Sequence, residues 1–309
     1  MSDKPHSADY FGDSRDFWWN RDFLELMARR WAFSDVKSVL DVGCGVGHWG
    51  RCLAPLLPSD CAMTGVDRER QWVDEAHKRS TALGERPVSF VQGAVERLPF
   101  ADDSFDLVTC QTVLIHLKDP RVGLAEMIRV LRPGGLLVLA EPNNTLANFS
   151  NIALKKPVRE LVDLIEFQMF CERGKMNLDE GFDSAGSLVA GWLAELNVER
   201  IESYLSDKTI MLFPPYASAH GQALIGDARE MSSRNFWRWD RKDTLRFFVA
   251  GGGKESAFER SWENALASEK EWLEGIDRQT LSMTYGSIIY LVSGRKKRTS
   301  SQQLKSNLV

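Results

Sequence analysis

Residues Ser38–Gly50 read SVLDVGCGVGHWG, an apolar run of strand length that breaks into a glycine-rich turn. Val39, Leu40 and Val42 make the run nearly continuous in apolarity, the pattern of a strand covered on both faces. Glycine lets the backbone turn tightly and approach a ligand with no side chain in the way. A helix opening directly after the turn aims its free N–H groups at the same point. In open α/β sheets that crevice, beyond the strand carboxyl ends, is where ligands bind.

The pattern repeats outward from this stretch. Ala62–Val66 ends at Asp67, and Val88–Gln92 ends at Gly93. Phe105–Cys110 follows a turn, and Leu136–Ala140 follows Pro133-Gly134-Gly135. Gln71–Ser80 and Gly123–Leu131 read as helices between these strands. Strands alternating with helices imply βαβ units and a doubly wound α/β sheet. Upstream, Phe17, Leu24, Met27, Ala28 and Trp31 recur at helical spacing, so a helix is expected from about Ser14, its cap, to Trp31. Downstream, Val158–Phe170 and Leu188–Leu196 read as helices, and Val198–Leu205 and Ser287–Ser293 as strands. Residues 211–281 read as mostly helical and aromatic-rich. The expected organisation is an N-terminal helical lid (1–36), a core (37–144), a mixed helical cap that includes a sixth strand (145–286), a last core strand (287–294) and a disordered basic tail (295–309).

Composition narrows the function. The chain has 309 residues with 39 basic and 43 acidic side chains, a formal charge of -4. Near-balance gives no whole-protein attraction to a phosphate backbone, so no nucleic-acid partner is expected. No stretch is long and apolar enough to span a bilayer, and Met1–Asp9 carries no signal-peptide core, so no membrane partner and a cytoplasmic location are expected. The cysteines, Cys44, Cys52, Cys61, Cys110 and Cys171, number five and show no CxxC spacing, which reads as reduced thiols and no metal site.

Two cofactor readings compete at the glycine turn. Gly45–Gly50 (GVGHWG) matches the dinucleotide fingerprint GxGxxG, and Asp67 suits the ribose of either cofactor. Four blocks separate them: LDVGCGVG (Leu40–Gly47), GVD (Gly65–Asp67), VQGAVERLPFADDSFDLV (Val91–Val108) and LRPGGLLVLAEP (Leu131–Pro142). Over about Ser38–Pro142 the chain resembles the class I S-adenosylmethionine-dependent methyltransferases. The resemblance implies a Rossmann-like, seven-stranded, mostly parallel sheet, with helical insertions forming a cap. It implies that the backbone of Gly43, Cys44, Gly45 and Gly47 faces the methionine part of S-adenosyl-L-methionine. Asp41 would bond near the amino group, and Asp67 would hold the ribose, with Arg68 and Gly93 counted in the same set. Trp72 would lie against adenine, the Ala94–Val95 backbone at the adenine edge, and the Cys110 carbonyl and Gln111 beside the amine. Many members carry Asp where this chain has Ala94, so the adenine amino group must be met from elsewhere: Glu96, backbone or water.

Methyl transfer from a sulfonium needs alignment and exclusion of water, and a base only when the acceptor must lose a proton. His116, just after the fourth strand, is a candidate base or a pocket-lining residue. Glu141, at the end of the fifth strand, is expected to face the crevice as a base or substrate contact. Tyr10 and Arg21 in the N-terminal segment are candidate cofactor contacts, Arg21 through the carboxylate. The expected activity is methyl transfer to oxygen or nitrogen of a small metabolite or natural product. A peptide or protein side chain is the alternative acceptor. A nicotinamide-dependent oxidoreductase and a non-catalytic S-adenosylmethionine-binding regulator are the remaining readings. The oligomeric state, monomer or homodimer, stays open.

Overall fold

Strands β1 (Ser38–Val42), β2 (Ala62–Asp67), β3 (Val88–Gln92) and β4 (Phe105–Gln111) run parallel with the first half of a longer sheet. The computed structural model describes residues 13–80, 86–149, 156–286 and 288–298. With β5 (Leu131–Pro142), β6 (Glu199–Leu205) and β9 (Ile289–Arg295) these strands form a seven-stranded sheet in the order β3-β2-β1-β4-β5-β9-β6. Only β9 runs against its neighbours. The strand order reverses between β1 and β4, which opens a crevice at their carboxyl ends.

The chain divides into two compact units. One comprises 20–142, 185–206 and 289–309 and contains this sheet. Its core is built by Leu40, Val42, Val108, Leu137 and Leu139 of the strands. Against them pack Leu124, Met127 and Val130 of α4 (Pro120–Val130) and Val189 and Leu193 of α7 (Val189–Glu195). Asp119 caps α4 by accepting from the Arg121 N–H, and Pro120 at the first helical position costs no hydrogen bond.

The other unit comprises 1–19, 143–184 and 207–288. It holds α5 (Asn144–Phe149), α6 (Val158–Asn177), α8 (Ala219–Ser233), α9 (Arg241–Ala250) and α10 (Phe258–Asp277). Phe167, Trp239, Phe247, Phe248, Phe258 and Trp262 form its core, so the aromatic richness of this half is spent in packing. Gly174 of α6 and Gly251 after α9 let the two helices touch backbone to backbone: a Cβ on Gly174 would lie 1.6 Å from the Phe247 carbonyl oxygen.

Several expectations are corrected. The N-terminal helix, α1, spans Arg21–Arg30 rather than starting at Ser14; Asn20 takes the cap position and Asp13–Phe17 forms a separate 3-10 turn. The division between units falls within this segment, after Trp19. Residues 211–281 are mostly helical, as expected, but they are flanked by an unforeseen pair, β7 (Ile210–Leu212) antiparallel with β8 (Met283–Tyr285) in a second, two-stranded sheet. The strand expected at Leu136–Ala140 runs from Leu131 to Pro142, taking in the expected Pro133–Gly135 turn, and α6 runs on to Asn177. The basic tail is ordered at its start. Arg295 pairs with Leu136 in the sheet and donates to the Gly134 and Trp31 carbonyls, and Lys296 reaches Asp103 at 2.7 Å. Long cationic side chains reach polar partners from an edge while their backbone stays paired. Among the described residues no helix is long and apolar enough to cross a membrane.

Candidate functional site

Asp41 is the next-to-last residue of β1 and opposes Gly65 on β2 and Thr109 on β4. Its carboxylate is buried. Oδ2 accepts from the Gly50 N–H at 3.0 Å, whereas Oδ1 has no hydrogen-bond partner. Burial pushes the Asp41 pKa up to about 7, with Asp67 raising it and the Gly50 N–H and Arg51 opposing. A buried oxygen left this way costs free energy unless a donor arrives.

The turn after β1 has its shape because Gly43, Gly45 and Gly47 all take positive φ. At Gly43 there is a second constraint, since a Cβ would sit 2.5 Å from Val113 Cγ2. The Cys44 N–H donates to the Val66 carbonyl at 3.0 Å, and Gly47 N–H to the Cys44 carbonyl at 2.8 Å. Helix α2 (His48–Leu53) starts directly behind.

Asp67 ties three loops together. Its Oδ2 accepts from Gly45 N–H at 2.9 Å, its Oδ1 from Glu69 N–H at 2.9 Å, and its carbonyl from Gly93 N–H at 2.9 Å. Burial raises its pKa against these two side-chain bonds. The backbone then reverses over Ala94–Arg97, with Ala94 exposed and Val95 packed on the core. Trp72 is half-buried in the first turn of α3 (Arg70–Arg79).

At the end of β4, Cys110 is fully buried and Gln111 buried; Leu114–His116 then form a 3-10 turn that leaves His116 half-buried. Glu141, expected at the crevice, has no exposed surface. It is fully buried and turned toward β4, with Oε1 accepting from the N–H groups of Val113 at 2.8 Å and Leu114 at 3.0 Å and from Cys110 Sγ at 3.5 Å. Its Oε2 has no partner, and burial lifts its pKa to about 7 against these bonds. The backbone donors of the turn draw the carboxylate inward, where a strand-end side chain alone would point to the crevice.

Direct bonds therefore join the Gly43–Gly47 turn, Asp67 and Gly93, with Asp41 bonded to Gly50 of the helix behind that turn, and separately Cys110, Glu141 and the turn bearing His116. Two expected cofactor contacts make exposed ion pairs in this structure. Arg21 pairs with Glu25 at 3.0 Å on an exposed face of α1, and Arg68 lies 3.3 Å from Glu69. Tyr10 falls outside the described residues. Sequence reasoning missed Arg51, whose Nη1 donates to the Val46 carbonyl at 2.7 Å and clasps the glycine turn. Its place four residues beyond Gly47, one turn into α2, is the signal that was available. It also missed the buried bond from Trp49 Nε1 to Thr109 Oγ1, 2.8 Å, which anchors α2 to β4. All five cysteines are free thiols, and among the described residues no cluster of His, Cys, Asp and Glu forms a metal site.

Residues 40–139 match the family described as "Methyltransferase domain". Over 135 residues the chain is 34% identical to the uncharacterized methyltransferase YcgJ of Bacillus subtilis, covering 44% of this chain and 52% of that one. Over 104 residues it is 42% identical to demethylmenaquinone methyltransferase of Staphylococcus aureus, covering 34% and 42%. The matched part spans about half, or less, of the length of the first curated relatives. A putative methyltransferase from Bacillus halodurans, 19% identical, shares the fold with a TM-score of 0.51 over 90% of this chain and 100% of that one. Residues 40–139 are thus similar to a methyltransferase domain, and the sheet that carries them has the fold of methyltransferase structures.

Proposed function

We propose that the chain binds S-adenosylmethionine at the carboxyl ends of β1 and β2 and transfers its methyl group directly to an oxygen or nitrogen of a small-molecule acceptor. The observation that carries the reading is Asp41 Oδ1, buried beside the glycine turn with no partner. An ammonium group there supplies both the missing donor and the opposite charge. Asp67 accepts two N–H bonds and retains lone pairs for ribose hydroxyls. The positive φ at Gly43, Gly45 and Gly47 keeps side chains off this surface. The residues present fit the cofactor.

When bound, S-adenosylmethionine supplies a methyl group already activated by its positive sulfur. The chain's own residues have the simpler tasks of holding, orienting and drying. Asp41, Asp67 and the Gly93 turn hold. Glu141 braces the backbone of Val113 and Leu114 and so fixes the turn that presents His116. His116 is the group suited to take a proton from an acceptor hydroxyl or amine near neutral pH. A small acceptor is favoured over a polyanion by the net charge of -4. One relative similar over the core is named for demethylmenaquinone, itself a small molecule.

Calorimetric titration tests the reading. S-adenosylhomocysteine should bind, and a nicotinamide dinucleotide should not; the reverse result overturns it. Asp67→Ala should weaken S-adenosylhomocysteine by about 1–3 kcal/mol through loss of a charged hydrogen-bond acceptor. Unchanged affinity in a folded variant removes Asp67 from the site.

A further inference from the structure

Helix α6 inverts the usual partition of a surface helix. Its inward positions include Gln168, Glu172 and Lys175, all buried. Glu172 accepts from Gln168, Thr145 and Ser184, and Lys175 pairs with Asp183. Its outward positions carry Val158 at 76% exposure, Val162 at 47%, Met169 at 56% and Met176 at 42%. The aromatic core and the close approach at Gly174 hold the helix firmly from behind, so this stripe is a preformed ridge.

Val162, Glu166, Met169, Arg173 and Met176 follow one another at alternating spacings of four and three, the period of a helix–helix seam. They extend over about 21 Å at about 1.5 Å per residue. Glu166 and Arg173 are exposed and make no ion pair among the described residues. They sit symmetrically about the point between Met169 and Phe170. A two-fold axis through that point sets Glu166 of each copy beside Arg173 of the other, and Val162 within one residue of Met176. A parallel pairing would instead set Glu166 against Glu166.

We propose that the α6 stripe is the isologous interface of a homodimer, two copies of this chain packed antiparallel about Met169. Both ion pairs form only across this axis, and Met169 of each copy is buried by the other.

Sedimentation equilibrium of the full chain tests the proposal. The expected result is a reversible monomer–dimer equilibrium with a dimer of twice 35.0 kDa. Glu166→Arg and Arg173→Glu should each weaken it about tenfold or more, because like charges then face each other. The double variant E166R/R173E should restore it. Met169→Cys should give a covalent dimer on mild oxidation, and this readout does not depend on the charge variants. A wild-type chain that stays monomeric up to about 200 µM overturns the proposal. So does a dimer that both single reversals leave intact while circular dichroism shows them folded, or a double variant no better than either single one.

Discussion

Asp41 holds one carboxylate oxygen on Gly50 N–H and leaves the other buried without a hydrogen-bond partner. Its raised pKa, about 7 against 3.8 for the free side chain, means the folded chain binds a proton that the unfolded chain has released. Stability from this group is full below the ordinary carboxylate range and is lost as pH rises through about 7; Glu141, also raised to about 7, acts in the same direction. An ammonium ligand beside Asp41 favours the ionised form, so binding S-adenosylhomocysteine below pH 7 should release a proton. Titrations at about pH 6 in buffers of different ionisation enthalpy measure that release, and Asp41→Asn should abolish it. Glu141 is separable from a base by two substitutions. Glu141→Gln keeps an acceptor for Val113 and Leu114 and should change stability by less than about 1 kcal/mol; Glu141→Leu strands those donors and should cost about 3 kcal/mol in denaturant melts. The sequence could place Glu141 at a strand end. It could not show that the backbone of another loop would claim its carboxylate.

At the scale of elements, the glycine turn and its strands were legible because each is specified locally. An apolar run of strand length followed by residues free to take positive φ admits few other structures. The core strands and helices accordingly lie within a few residues of their expected limits. The second unit was less legible. β7 and β8 are three-residue strands whose partners lie far apart in sequence, so neither has a periodic signal of its own. In α6 the polar residues that point inward are satisfied by Thr145, Asp183 and Ser184, contacts that exist only after folding. The close crossing of α6 and α9 gives a direct test. Gly174→Ala puts a methyl 1.6 Å from the Phe247 carbonyl oxygen and must push the helices apart. It should lower stability by about 3 kcal/mol, whereas Ala in a helix interior normally gains about 1 kcal/mol over Gly. A thermal melt decides the sign.

For the whole molecule, ligand linkage offers a check that needs no acceptor. A compound that binds the folded chain at about 100 times its dissociation constant stabilises it by about 2.7 kcal/mol. S-adenosylhomocysteine should therefore raise the melting temperature by several degrees, and a nicotinamide dinucleotide should leave it unchanged. What residues 38–142 carry in their order along the chain was the sheet class, the glycine turn proposed to meet a cofactor and the acids near it, since each depends on neighbours in sequence. Folding alone settled the bare oxygen of Asp41, the inward turn of Glu141, the grip of Arg51 on the glycine turn and the apolar ridge of α6. Each of these depends on which distant backbone groups and side chains arrive at the same place, and that information is held by no single stretch of residues.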